Sequence, residues 1–380
     1  MEKACGLDVH KDSIFACILD EQGKKIFEKR YGTLTPNLME LRDALVETGC
    51  GCVAMESTSI YWMPIWRVLE SDFSLTLANP YFIKQLPGRK SDVKDARWIA
   101  ECLQKDLIKS SFVADGILQQ MRQYSRQHRR LTKNRVRLEQ QLDNQLQRCN
   151  VRFSNYVSNQ GSNVSIRKII KAISDGERDS AKLSRLVHGR TKNKHGKQVI
   201  TDSLDGVIGQ VDVEMLKQCM EQIELIEKQQ ATCLNHLEEL ANQYYAEEIS
   251  LLCTIPGVKT LSALFILSEI GNDMSAFSSA SSLVGWAGLR PRNEESAGKI
   301  QSRKTLHGNK YLRQILVEIS WSAARSNKSF LGKKFNILSL RMKSQKALIA
   351  ITRKMLVIIY NVLKTRQPFD PKRNLQAPVA

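Results

Sequence analysis

The sequence predicts an α/β layer followed by a predominantly helical remainder, and three observations carry that prediction. Apolar residues in the first 110 or so positions alternate between a two-residue period and a helical one. From Ile117 the pattern turns purely helical and strongly basic. In the last third, helical runs are punctuated by glycine and proline.

Taken in order, residues 4–9 and 14–19 read as two short strands, and residues 25–31 as a third. Thr35-Pro36 opens a helix carrying Leu38, Leu41, Leu45 and Val46, with proline in the favoured first turn. Residues 52–55 form a fourth strand, 62–69 a helix, and 75–78 a fifth strand ending at Asn79-Pro80. Three strands, helix, strand, helix, strand, helix is the order of a ribonuclease-H-like layer. Residues 117–148 read as one long helix with leucines at 131, 138, 142 and 146, and 213–245 as a second. Two such helices imply either an antiparallel hairpin or a dimer coiled coil. The polar stretch between them, near 155–205, reads as an irregular, mobile insert. Residues 251–258 followed by a helix over 261–270 resemble a helix-hairpin-helix turn, although a plain helix connection has the same pattern. The expected domains are therefore 1–112, 113–248 and 249–380.

Composition narrows the function. The chain of 380 residues carries 57 Lys and Arg against 39 Asp and Glu, a net charge of +18. That excess points to a polyanionic partner such as DNA, RNA or an anionic membrane surface. A mean hydropathy of −0.32 argues against membrane insertion. The two most apolar stretches are broken by Pro256, Gly257 and Lys259, and by Arg353-Lys354. No secretory leader is legible at the amino terminus, so a cytoplasmic protein, nucleoid-associated when bound, is expected. Nine scattered cysteines without a CxxC pair exclude a disulfide framework or zinc site as an expectation.

Four acids stand out. Asp8 sits near the end of the first strand and Glu56 just after the fourth, where strand ends of an open α/β layer converge. Asp92 and Asp95, three apart, share one face at a helix start. Converging carboxylates repel unless a cation neutralises them, and their hard oxygens suit Mg²⁺ or Mn²⁺. Singly, each acid reads more readily as a turn former or helix-start residue.

Those residues lie in motifs: Gly6-Leu7-Asp8-Val9-His10-Lys11, Glu56-Ser57-Thr58-Ser59-Ile60-Tyr61, Asn79-Pro80, and Lys90-Ser91-Asp92-Val93-Lys94-Asp95-Ala96. Downstream come Gly285-Trp286-Ala287-Gly288-Leu289-Arg290-Pro291, Asn293-Glu294-Glu295-Ser296-Ala297-Gly298-Lys299 and His307-Gly308-Asn309-Lys310-Tyr311-Leu312-Arg313. Together they resemble the DEDD transposases and recombinases of bacterial insertion sequences, the Piv/IS-one-ten family of RNA-guided bridge recombinases. One departure is Ser59, where that family commonly has glycine. The resemblance implies a RuvC-like catalytic domain holding a divalent metal on Asp8, Glu56, Asp92 and Asp95. It also implies a carboxy-terminal transposase domain whose nucleophile is Ser296, and a composite site formed by the two halves. Its implied partners are target and donor DNA, a structured noncoding RNA, and further copies of the chain in a dimer or tetramer. No membrane partner is implied.

Nucleic-acid contacts are expected along 299–346, where twelve basic residues face the single acid Glu318. Lys299, Arg303, Lys304, Lys310 and Arg313 belong to that stretch, and Arg126, Arg129 and Arg130 of the long basic helix are added to them. Two other functions fit the same features: a metal-dependent junction nuclease that uses water, and a non-enzymatic nucleic-acid scaffold.

Overall fold

The computed structural model describes residues 2–80, 95–157, 163–291, 305, 307–326 and 329–371, and the backbone of 294–296 and 299–302. It divides into two compact units, Met1–Val113 and Ala114–Ala380. The expected boundary at 248/249 falls inside the second unit.

In the first unit, β1 (Ala4–Val9), β2 (Ile14–Leu19), β3 (Lys25–Tyr31), β4 (Cys52–Glu56) and β5 (Ser74–Ala78) form one sheet in the order β3-β2-β1-β4-β5. The first three strands meander antiparallel, while β1, β4 and β5 run parallel. The parallel strands are joined by α1 (Thr35–Glu47) and α2 (Trp62–Leu69). Period-two alternation divides the layer. Cys5, Leu7, Val9, Val53, Met55 and Leu77 pack with Leu38, Leu41, Leu45 and Ile65 of the helices on one face. The other face meets α3 (Asp95–Gln104), whose Ile99 packs on Ala54 and Ala78. Gly6 permits that approach: a Cβ there would lie 2.0 Å from the Ala96 carbonyl oxygen and 2.5 Å from the Ala100 nitrogen. The side chain of Gln104, at the far end of α3, donates to the Glu2 and Asp20 carbonyls at 3.0 and 2.7 Å. Helix α3 therefore runs antiparallel to β1, which brings its first residue, Asp95, to the sheet edge where β1 ends.

The second unit begins with α4 (Gly116–Arg148), capped by Asp115, whose carboxylate accepts from the Leu118 amide at 2.7 Å. It pairs with α9 (Gln210–Tyr244). Gln145 donates to Asp212 and Gln230 to Thr132, both at 2.7 Å, so the late part of one helix meets the early part of the other. The two helices form an antiparallel hairpin within the chain. The hairpin buries Leu131, Leu142 and Leu146 without a second copy, which removes exposed leucine seams as an argument for oligomers.

The stretch expected to be an irregular mobile insert is instead helical where it is described. Helices α5 (Val164–Ser174), α6 (Ser180–Arg185), α7 (Gly189–His195) and α8 (Lys197–Asp202) follow one another. Ile166, Ile169, Ile170 and Ile173 lie at three/four/seven spacing and form a core with Leu183, Ile200, Leu146 and Leu216. Asn163 and Asp179 cap the first two helices by accepting backbone N–H bonds. The polar average of the stretch hid that narrow apolar stripe.

The remaining elements are α10 (Ala246–Cys253), α11 (Thr260–Ile270), α12 (Ala280–Trp286), the hairpin β6 (Glu294–Ser296) and β7 (Lys299–Ser302), α13 (Lys310–Ala324), α14 (Phe330–Ser339) and α15 (Ser344–Thr365). Gly257, between α10 and α11, has φ +92°, and a Cβ there would meet the Ile319 carbonyl oxygen of α13 at 2.9 Å. Its bare side is thus filled by a neighbouring helix, which favours the plain helix connection over a phosphate-binding turn. Among the described residues, no helix is long and apolar enough to cross a membrane.

Candidate functional site

Asp8 and Glu56 come together through strand register. Leu7 pairs with Met55 across the parallel β1–β4 ladder, and one further step sets Asp8 beside Glu56. Both share the face of Gly6 and Ala54, the face that α3 covers. Asp95 begins α3 at that same edge. Three of the four predicted acids therefore share one edge and one face of the sheet. Asp92 lies outside the described residues.

Asp8 is only 6% exposed, and its Oδ2 lies 3.0 Å from Nε2 of the exposed His10. Among the described residues, no three acid, histidine or cysteine side chains stand close enough to enclose an ion. The donor chemistry nonetheless fits a hard divalent cation: carboxylate oxygens from Asp8, Glu56 and Asp95, with the imidazole of His10 beside the most buried of them. Ser59, three residues after Glu56, has φ +51°, the left-handed region that favours glycine. The turn thus keeps a glycine-like shape although serine occupies the position.

Ser296 ends β6, paired with Lys299 of β7 in a short antiparallel hairpin. The Pro291–Thr305 bridge lies at the hairpin's base. Arg313 Nη1 donates to the Gly288 carbonyl and to Thr305 Oγ1, both at 3.1 Å. Arg303 and Lys304 lie outside the described residues.

The Lys299 side chain also lies outside the described residues, and the described basic contacts divide into two groups. Arg130 and Lys310 are exposed, as are Arg325, Lys333, Arg341, Lys343 and Lys346. Arg126, Arg129 and Arg313 are engaged inside the fold. Arg126 donates two bonds to Glu269, at 2.9 and 2.8 Å. Arg129 is 8% exposed, lies over the Phe265 ring, and has Nη2 3.9 Å from Glu318. Burial lowers its basicity, and burial pulls Arg122 down to about 10. Trp321 is 38% exposed, packs on Phe335 at 5.7 Å between ring centroids, and has Arg325 over its ring at 5.4 Å.

Sequence reading missed Glu269, which is fully buried and joins three helices. A lone acid in the otherwise apolar run 261–270 was the available signal.

Two family models match the chain. One, described as a transposase and of the DEDD type, matches residues 5–151; the other, described as the transposase IS116/IS110/IS902 family, matches residues 249–333. The pilin gene-inverting protein of Moraxella bovis is 35% identical over 130 residues, which are 32% of this chain and 39% of that protein. The pilin gene-inverting protein of Moraxella lacunata is 36% identical over 130 residues, with the same shares. The matched region spans about two-fifths of the length of each of these relatives.

Proposed function

We propose that this chain, matched by transposase models of the IS116/IS110/IS902 kind over residues 5–151 and 249–333, is a site-specific DNA recombinase of an insertion sequence. The observation that carries the proposal is the placement of Asp8 and Glu56 side by side at one sheet edge, with Asp95 beginning the helix at that edge, in a chain matched at both ends by transposase models. In this reading the first unit is a ribonuclease-H-like, RuvC-type domain, supported by its strand order.

Asp8, Glu56, Asp92 and Asp95 hold a divalent cation, Mg²⁺ or Mn²⁺, in agreement with the DEDD type of the matching family model. Such an ion supplies charge stabilisation to a phosphodiester undergoing displacement. The carboxylates position it, and His10 orients Asp8 through their hydrogen bond.

Ser296 is the nucleophile. Its Oγ forms a bond to phosphorus while the bond from phosphorus to one DNA oxygen breaks, and the proton lost from Oγ ends on that departing oxygen as a DNA hydroxyl. The resulting phosphoserine link preserves the phosphodiester energy, and attack by a DNA hydroxyl on it releases the serine and rejoins the strand. No nucleotide hydrolysis is needed. Lys310, Arg130 and the exposed basic residues of α14 and its flanks bind the backbones of DNA and of a structured guide RNA. Assembly as a dimer or tetramer brings the exchanging duplexes together.

The decisive test is Ser296→Ala. The denaturant-resistant protein–DNA adduct and recombination are expected to vanish together, with DNA affinity kept. EDTA in excess is expected to stop strand cleavage. Normal recombination by Ser296→Ala, or cleavage at full rate in EDTA, overturns the respective assignment.

A further inference from the structure

We propose that Glu269 and Asn309 are positioning residues, which hold the Ser296 hairpin in register through a buried hydrogen-bonded clamp; this rests on the assignment of Ser296 made above.

Glu269 lies in the last turn of α11, where the helix dipole disfavours an acid, and it is fully buried. Its carboxylate is held there by partners. Arg126 of α4 donates two bonds, and Asn309 Nδ2 donates a third at 2.6 Å to Oε2. Arg122 adds a bond to the Glu269 backbone carbonyl at 2.6 Å. Apolar residues of similar volume hold helices together as well as a buried ion pair does, so stability alone does not explain the cluster.

The chemistry of Asn309 shows what the cluster orients. Its amide is used at both ends: Nδ2 donates to Glu269, while Oδ1 caps α13 by accepting from the Tyr311 and Leu312 amides, each at 3.0 Å. Its backbone N–H donates to the Trp286 carbonyl at 3.0 Å. The start of α13 is thereby pinned to the end of α12. Gly308 reinforces the junction, since a Cβ there would fall 2.2 Å from the Gly288 nitrogen. One turn into α13, Arg313 reaches Gly288 and Thr305, and Thr305 is bridged to Pro291. The two strands leaving that bridge are those that carry Ser296 and Lys299. The Pro291–Thr305 bridge, from which the chain continues into β6 and to which it returns after β7, is therefore anchored through a carboxylate on α11. In-line attack demands such control, since a displacement of about 1 Å costs on the order of a hundredfold in rate.

The test uses the full chain with Asn309→Asp, Glu269→Gln and the two combined. Asn309→Asp keeps the cap but sets carboxylate against carboxylate. The double variant restores one carboxylate and one amide with their roles exchanged. Strand cleavage at saturating DNA is expected to fall about a hundredfold in Asn309→Asp. DNA affinity is expected to stay within about twofold, and the backbone amides of β6 and β7 to exchange faster with solvent. The double variant is expected to recover most of both. Unchanged amide exchange in Asn309→Asp overturns the proposal, and so does a double variant that regains thermal stability without regaining cleavage. Should Asn309→Asp not fold, Asn309→Ser, which keeps a capping oxygen and deletes only the donor, is read by the same exchange measurement. Ser296→Ala separates this proposal from its premise: if that variant still cleaves DNA, the nucleophile is another group, and amide exchange still decides the clamp.

Discussion

Asp8 of the first unit and Glu269 of the second are both buried carboxylates, yet they are set in opposite ways. Glu269 has two guanidinium bonds from Arg126 and an amide bond from Asn309, so its charge is neutralised inside the fold. Asp8 stands at a sheet edge beside Glu56, a second acid, with an exposed histidine at 3.0 Å. A carboxylate that orients its neighbours within the fold is supplied with arginine. A site that gathers acids leaves a place for a cation to bind. Burial alone does not distinguish the two uses; the charge of the neighbours does.

The sharpest way to break this contrast is to neutralise each carboxylate and compare what is lost. Asp8→Asn is expected to lower strand cleavage by a hundredfold or more, on the order of a lost electrostatic group at a reacting centre. DNA affinity should be kept or increased, because negative charge near phosphate is removed. A gel-shift titration beside a single-turnover cleavage assay measures both, and parallel loss of binding would assign Asp8 to the architecture instead.

Glu269→Ala should differ in kind, losing stability together with cleavage. Stripping the carboxylate leaves Arg126 partly buried without that counter-charge, a loss of roughly 3–5 kcal/mol. Chemical denaturation of the variant checks this, and a change below about 1 kcal/mol would mean that water replaces the carboxylate at little cost.

A smaller effect is expected beside the acid edge. Ser59 holds a left-handed conformation that costs a non-glycine residue roughly 1–2 kcal/mol. Ser59→Gly relieves part of that cost but also frees the unfolded chain, so a net gain of about 1 kcal/mol or less is expected. If the thermal midpoint falls instead, the serine side chain makes a contact that outweighs the strain.

The smallest effect belongs to the arginine-rich side. Burial, then the charges of Arg129 and Arg135, hold His128 below its ordinary value of 6.5. The unfolded chain therefore binds a proton in a range where the fold does not. Stability from this group is complete above about pH 6.5 and declines as pH falls through the window down to the lowered value. His128→Gln should flatten that slope, as followed by thermal unfolding across pH 5 to 8. An unchanged slope would mean that His128 is not its source.

The first unit was legible because its information is local. Alternation in residues 4–9 and 14–19, the Pro36 helix start and the Asn79-Pro80 stop each act over a few residues, and the observed elements follow them closely. The proximity of Asp8 and Glu56 is legible in the same way, since strand ends of one layer share an edge. The helical insert was missed although its isoleucine stripe was present, because four apolar positions among many polar ones are outweighed when a segment is judged by average composition. Arg126 and Arg129 were assigned to nucleic acid because a basic helix looks the same whether its arginines meet phosphate or a distant glutamate.

What the sequence determined by itself is the order of strands and helices in the first unit and the two long helices of the second, the acids and the serine that resemble a known motif, and the charge that calls for a polyanion. Each depends on neighbours within a few positions or on a sum over the chain. The tertiary structure alone decided which arginines are committed inside the fold and which side Gly257 turns to α13. It also decided that Glu269, 143 residues from Arg126 and 40 from Asn309, joins them in one cluster. Pairings over such separations follow from the packing of whole helices, and no local periodicity encodes them.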